Sequence, residues 1–148
     1  MDPDFSDMLS ALCAETAEFM VVGAYAMAAH GLPRATGDID IWVRPTPENA
    51  RRVWRALERF GAPLSRLKIE DLLDPNTVYQ IGVAPHRIDI LTSISGVDFE
   101  SAWSTRKEAR LGGLDVHVLG RDQLIENKRA SGRPKDLVDL EWLEGESQ

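Results

Sequence analysis

The sequence predicts an α+β domain in which a mixed, mostly antiparallel sheet of about five strands carries helices packed mainly on one face. Two observations predict it. Short β-branched or alternating apolar runs recur at Phe19–Val22, Asp38–Val43, Thr77–Val83, Arg87–Leu91 and on both sides of Gly112-Gly113. Between them lie stretches whose apolar residues follow helical spacing, each punctuated by Gly or Pro. At 148 residues and 43% hydrophobic content the chain is long enough for one domain, 1–148, with a real core over about 19–143.

Residues Phe5–Ala17 read as an amphipathic helix, with Met8, Leu9, Leu12 and Cys13 in helical register and Asp2, Asp4 and Asp7 near its start. Phe19–Val22 is a buried strand ended by Gly23, and Ala24–His30 is a short helix of good helix formers. Gly31, Pro33 and Gly37 break the chain before the Asp38–Val43 strand. Thr46-Pro47 opens a helix that runs to about Phe60 and stops at Gly61, with Val53, Trp54, Leu57 and Phe60 as its apolar stripe. Arg51, Arg52, Arg55 and Arg59 lie mostly off that stripe and read as a solvated face rather than a nucleic-acid surface.

Ser65–Leu73 reads as a short helix, and Thr77–Val83 and Arg87–Leu91 as antiparallel strands joined at Pro85-His86. Val97–Trp103 is a helix with Phe99 and Trp103 on one face. Arg106–Arg110 and Asp115–Leu119 form a hairpin around Leu111-Gly112-Gly113-Leu114. Helices follow at Gln123–Ala130 and Lys135–Leu143, and the tail from Glu144 is expected to fray.

Composition narrows the function. A formal charge of −7 disfavours sequence-blind nucleic-acid binding. A single cysteine, Cys13, excludes an internal disulfide and fits a reducing compartment, with the thiol as a core filler. No apolar run reaches the ~20 residues of a membrane helix. No signal peptide is visible at Met1, so the expected location is the cytoplasm. His30, His86 and His117 lack metal-ligand spacing, and His30 reads as a helix-end residue. Ser93 and Ser95 have no His–Asp partner pattern, and no P-loop follows Gly23.

The chemistry concentrates between Gly23 and Val43. In Asp38-Ile39-Asp40 the strand period puts both carboxylates on one face, their Cα atoms about 6.5–7 Å apart. Paired carboxylates repel unless a cation lies between them, and oxygen ligands suit Mg²⁺ or Mn²⁺. The plain alternative is an edge strand with an acidic outer face. Asp89, flanked by two isoleucines in the Arg87–Leu91 strand, is costly to bury without a partner, which is either a metal or a neighbouring arginine. The strand–Gly23-Ala24–helix turn offers free N–H groups to an anion. Arg34 and Thr36, in the loop before Asp38, either contact phosphate or order the loop.

These residues resemble the nucleotidyltransferase fold of the polymerase beta superfamily, and most the small stand-alone bacterial members, the minimal and AbiEii-like nucleotidyltransferases. The resembling pattern is a strand, Gly23-Ala24, then Asp38-Ile39-Asp40, then Asp89 in a later strand. Ala24 departs from the Gly or Ser usual there, which removes any hydroxyl contact to phosphate. A second likeness is the C-terminal run with Lys128, Arg133, Lys135 and Asp136. It implies that Lys128 neutralises triphosphate charge; the alternative is a surface lysine paired with Glu141 or another acid.

What the resemblance implies is a metal-dependent nucleotidyltransferase. Two Mg²⁺ (or Mn²⁺) ions, about 3.5–4 Å apart, would sit between Asp38, Asp40 and Asp89. Gly23 and Ala24 would cradle phosphates. The substrate would be a nucleoside triphosphate and the acceptor a hydroxyl on RNA, protein or a small molecule, with a dimer or partner protein completing the site. Two other classes stay open: a silent nucleotide- or partner-binding member of the fold, which Ala24 favours and the three acids oppose, and one component of a toxin–antitoxin pair.

Overall fold

The computed structural model describes residues 1–33, 36–83 and 85–146. A six-stranded mixed sheet runs in the order β3-β4-β2-β1-β6-β5. Its strands are β1 (Phe19–Val22), β2 (Asp38–Val43), β3 (Val78–Ile81), β4 (Arg87–Leu91), β5 (Lys107–Leu111) and β6 (Leu114–Val118). The helices are α1 (Pro3–Ala14), α2 (Gly23–Ala29), α3 (Pro47–Phe60), α4 (Phe99–Ser104), α5 (Arg121–Ser131) and α6 (Pro134–Glu146), with one 3-10 turn at Ile69–Leu73. The class is the expected α+β, and the sheet gains its sixth strand because both arms of the hairpin join it. Three of the five pairings are antiparallel; β1 with β6 and β2 with β4 are parallel.

Register sorts the side chains onto two faces. Val43, Ile41 and Ile39 on β2 align with Phe19 and Val21 on β1 and with Ile88 and Ile90 on β4. Val118 aligns with Val21 on the far side. This apolar face is buried, and it shares one core cluster with Phe5, Met8, Leu9 and Leu12 of α1 and Val53 and Leu57 of α3. Each fully buried side chain of this kind contributes about 1.5–3 kcal/mol relative to exposure. The core thus takes in α1. Asn49, buried at the start of α3, accepts from Glu18 N and donates to Glu18 O and Arg44 O, fixing that helix to the ends of β1 and β2.

The opposite face carries Asp38, Asp40, Trp42, Arg87, Asp89 and Leu91. Its far end is closed by α4, where Phe99 packs edge-on against Trp42 at 5.0 Å and stacks on Trp103 at 5.7 Å. The predicted Phe99–Trp103 pairing is therefore present, and its helix stands on the acidic face, unlike α1 and α3. Arg44 lies over the Phe99 ring and also pairs with Glu18 and Glu100.

Boundaries follow local chemistry. Asp2 caps α1 by accepting from Asp4 N, and α1 stops at Ala14, earlier than the expected Ala17. Cys13 is exposed, not a core filler, because it falls outside the stripe formed by Phe5, Met8, Leu9 and Leu12. The Ser65–Leu73 helix is only a 3-10 turn over its second half. Gly112 and Gly113 both have positive φ, 56° and 79°, as a tight hairpin turn requires. Of the tail expected to fray, residues 144–146 are helical, following Trp142 and Leu143, which pack into the core, and residues 147–148 lie outside the described residues. No helix among the described residues is long and apolar enough to cross a membrane.

Candidate active site

Strand β1 runs straight into α2 with no intervening loop: Val22 ends one and Gly23 begins the other. Gly23 has φ +67°, and a Cβ built on it would lie 2.4 Å from Asp40 Oδ2. Only glycine fits there, for reasons of both backbone shape and space. The turn is thereby pressed against the acidic strand.

The acids themselves come together through the parallel pairing of β2 with β4, in which Asp40 stands opposite Asp89 and Asp38 opposite Arg87. Asp89 is 6% exposed. The pKa of Asp40 is pushed up to about 6, mainly by burial, then by the charge of Asp89 and a hydrogen bond shared with it, and by Asp38; Arg87 pulls the other way.

Arg87 is the partner of the buried acid. Its Nε donates to Asp89 Oδ1 at 2.8 Å and its Nη2 to Asp89 Oδ2 at 3.1 Å. The same Nη2 lies 3.2 Å from Asp38 Oδ2. Of the two alternatives for Asp89, the structure shows the neighbouring arginine. The donor chemistry, three carboxylates on one face with a cationic group bridging two of them, fits a hard divalent ion. Among the described residues no three acidic, His or Cys side chains are gathered to hold a metal ion. Mg²⁺ commonly uses one or two carboxylates plus substrate phosphates, so a protein cage of three is not required.

Two cavities adjoin the acids. One, of about 140 Å³, is lined by Gly23, Ala24, Thr36, Asp38, Asp40, Lys128, Arg133, Lys135 and Asp139. The other, of about 510 Å³, shares Gly23, Asp40, Lys128 and Arg133 and extends past Leu91, Ser93, Ser95, Asn127 and Ser131. The structure therefore brings together Gly23, Ala24, Thr36, Asp38, Asp40 and Lys128, with Asp89 adjacent through Arg87. The Thr36 hydroxyl accepts from Asp38 N and donates to Asp38 O, both at 3.2 Å. Arg34 lies outside the described residues.

Lys128 is buried at 7% exposure rather than on the surface. Its Nζ is 3.2 Å from Asp136 Oδ1 and 3.1 Å from Asp139 Oδ2, two acids of α6. Arg133 also holds Asp136, at 2.7 Å, and the two cations depress its pKa against the opposing effect of burial. His30 is the C-cap residue of α2, and its ring Nε2 donates to Leu119 O at 2.8 Å.

Sequence reasoning did not single out Arg87 or Asp139. The signals were present: Arg87 is two positions before Asp89 in a strand, hence on its face, and Asp139 is one helical turn after Asp136.

No protein-family model matches the chain. No curated protein matches it in sequence. Solved structures do match it in shape. A putative nucleotidyltransferase from Thermotoga maritima superposes with TM-score 0.59 at 13% identity, over 98% of this chain and 93% of that one. The antibiotic-resistance factor ANT(2'')-Ia gives 0.64 at 15%, over 98% and 83%. The lincosamide antibiotic adenylyltransferase LnuA, bound to lincomycin, gives 0.59 at 14%, over 97% and 96%. With its six-stranded mixed sheet and its paired acids on β2, this chain has the nucleotidyltransferase fold.

Proposed function

We propose that the protein transfers a nucleoside monophosphate from a nucleoside triphosphate to an acceptor hydroxyl. The observation that carries this is the register of Asp40 against Asp89, with Asp40 lining a small cavity that Lys128, Arg133 and Lys135 line as well. Carboxylates and cations converging on one cleft match a substrate that is both phosphorylated and attacked.

In the reaction the acceptor oxygen bonds to the α-phosphorus, the bond from that phosphorus to its bridging oxygen breaks, and pyrophosphate leaves. The hydroxyl proton goes to a carboxylate, and Asp89 is the candidate because it stands beside Asp40 on the neighbouring strand. Gly23 and Ala24, in the first turn of α2, line the small cavity, and their N–H groups, which lack intrahelical partners, would receive the phosphates there. Arg133 and Lys135 line the same cavity and neutralise leaving-group charge. Mg²⁺ or Mn²⁺ held by Asp38, Asp40 and Asp89 would lower the pKa of the attacking hydroxyl and offset triphosphate charge.

The larger cavity suits the rest of the substrates: it is rich in hydroxyl and amide groups, from Ser93, Ser95, Asn127 and Ser131. ANT(2'')-Ia is known in complex with adenylyl-2''-tobramycin, and LnuA binds lincomycin. A small hydroxyl-bearing molecule is accordingly the first acceptor to try here, ahead of RNA or a partner protein.

The test is incubation of the full chain with each labelled triphosphate, Mg²⁺ or Mn²⁺, and cell extract, followed by location of the label. Pyrophosphate release with label on a new molecule is the expected result. No release from any triphosphate with either metal would leave only the fold, and with it the silent binder.

A further inference from the structure

Among the described residues, three carboxylates and one guanidinium meet on the acidic face, and these do not balance. Arg87 engages both oxygens of Asp89 in the fork geometry that makes such pairs strong, and one of its nitrogens also reaches Asp38 from the neighbouring strand. Asp40 is left to share a hydrogen bond with Asp89. The Asp89 side chain is 9% exposed, whereas that of Arg87 is 29% exposed. The acid is fixed in place and the cation has a route to solvent.

We propose that Arg87 is a resident counter-cation that competes with divalent metal for Asp38 and Asp89, so that metal enters only as the guanidinium swings out. It rests on the acids being a cation site, and not on nucleotidyl transfer. Three features carry it. The guanidinium occupies the oxygens a metal would take, at 2.8 to 3.2 Å. It is tethered two residues from Asp89 on the same strand face, so it competes at high effective concentration. And the acids are turned toward it, which accounts for the lack of any three-ligand cluster among the described residues. A purely orienting arginine would instead hold Asp89 in place for the metal, and its loss would weaken metal binding.

The two roles give opposite signs in a calorimetric titration of MnCl₂ alone into the full chain without nucleotide. Arg87→Ala and Arg87→Met are expected to bind Mn²⁺ at least about tenfold more tightly than wild type, and to gain more thermal stability at a fixed Mn²⁺ concentration. Arg87→Met keeps the side-chain stem, in case the alanine variant does not fold. Arg110→Ala removes a positive charge from the β5 edge of the sheet, where Arg110 pairs with Asp115, and is expected to shift affinity by less than about threefold. Unchanged or weaker Mn²⁺ binding in both Arg87 variants overturns the proposal. So does an Arg110→Ala effect equal to theirs, or no binding by any variant at millimolar Mn²⁺. Failure of pyrophosphate release alongside the expected Mn²⁺ response would remove the enzymatic reading and leave the counter-cation standing.

Discussion

Gly23 and Asp40 are in contact through a missing atom: a Cβ on the glycine would stand 2.4 Å from the carboxylate Oδ2, on a backbone with φ +67°. Gly23→Ala therefore meets two costs, the left-handed backbone at about 1–2 kcal/mol and a displaced carboxylate. Urea unfolding is expected to show a loss of at least about 1 kcal/mol, and Mn²⁺ binding should fall with it. A fully stable variant with intact Mn²⁺ binding would show that turn and acid are not coupled.

Asp40 gives a stability prediction with a definite sign. Its folded pKa is raised, from an ordinary 3.8 to about 6, so the folded state holds the proton more tightly than the unfolded one. Stability from this group is full below pH 3.8 and is lost as pH rises through 6. Asp40→Asn, which cannot ionise, should match wild type near pH 3.5 and exceed it at pH 7 to 8. At 1.36 kcal/mol per pH unit the gain is about 3 kcal/mol at most. The same substitution should abolish stabilisation by Mn²⁺. Denaturant melts across this range, with and without the metal, check both halves.

Lys128 is held between Asp136 at 0% exposure and Asp139 at 2%. Removing one partner of a buried charge cluster costs about 3–5 kcal/mol. Lys128→Ala should thus lower stability by roughly that amount, and Asp139→Asn in the same background should restore part of it. If Lys128 also serves the triphosphate, the folded fraction of Lys128→Met will lose affinity for a triphosphate more than for a monophosphate. Equal losses would confine the lysine to its structural cluster.

Asp89→Asn separates catalysis from binding. The change keeps the side chain's shape, so circular dichroism should be unaltered. Nucleotide affinity should stay within a few-fold while transfer falls about a hundredfold or more, the scale of a lost proton acceptor. Wild-type rates in the variant would remove Asp89 from the reaction.

The strands were legible because period-2 alternation survives in a sheet with one apolar face: Ile39/Ile41 against Asp38/Asp40 is readable without coordinates. Helix stops were legible where chemistry marks them, as at Thr46-Pro47 and Gly61 around α3. Partners were not, because pairing between strands is non-local. No residue pattern puts β4 parallel beside β2; the family resemblance alone drew Asp89 toward Asp38 and Asp40, and nothing set Arg87 opposite Asp38. For the same reason Lys128 could be placed on a helix but not in a buried cluster. Cys13 misled because apolar character alone says little about which side of a helix stripe a residue takes.

The Arg87–Asp89 pairing also bears on the order of events as the chain folds. These two residues are neighbours on one strand face and can associate as soon as β4 is extended, at almost no loop-closure cost. The meeting of Asp89 with Asp40 requires the whole crossover carrying α3, the 3-10 turn and β3 to close first. Asp89 can thus meet its like-charged neighbour with its own counter-charge beside it. Because the same pair persists in the finished sheet, Arg87 offsets the charge that Asp89 presents to Asp40 both while the strands close and afterwards.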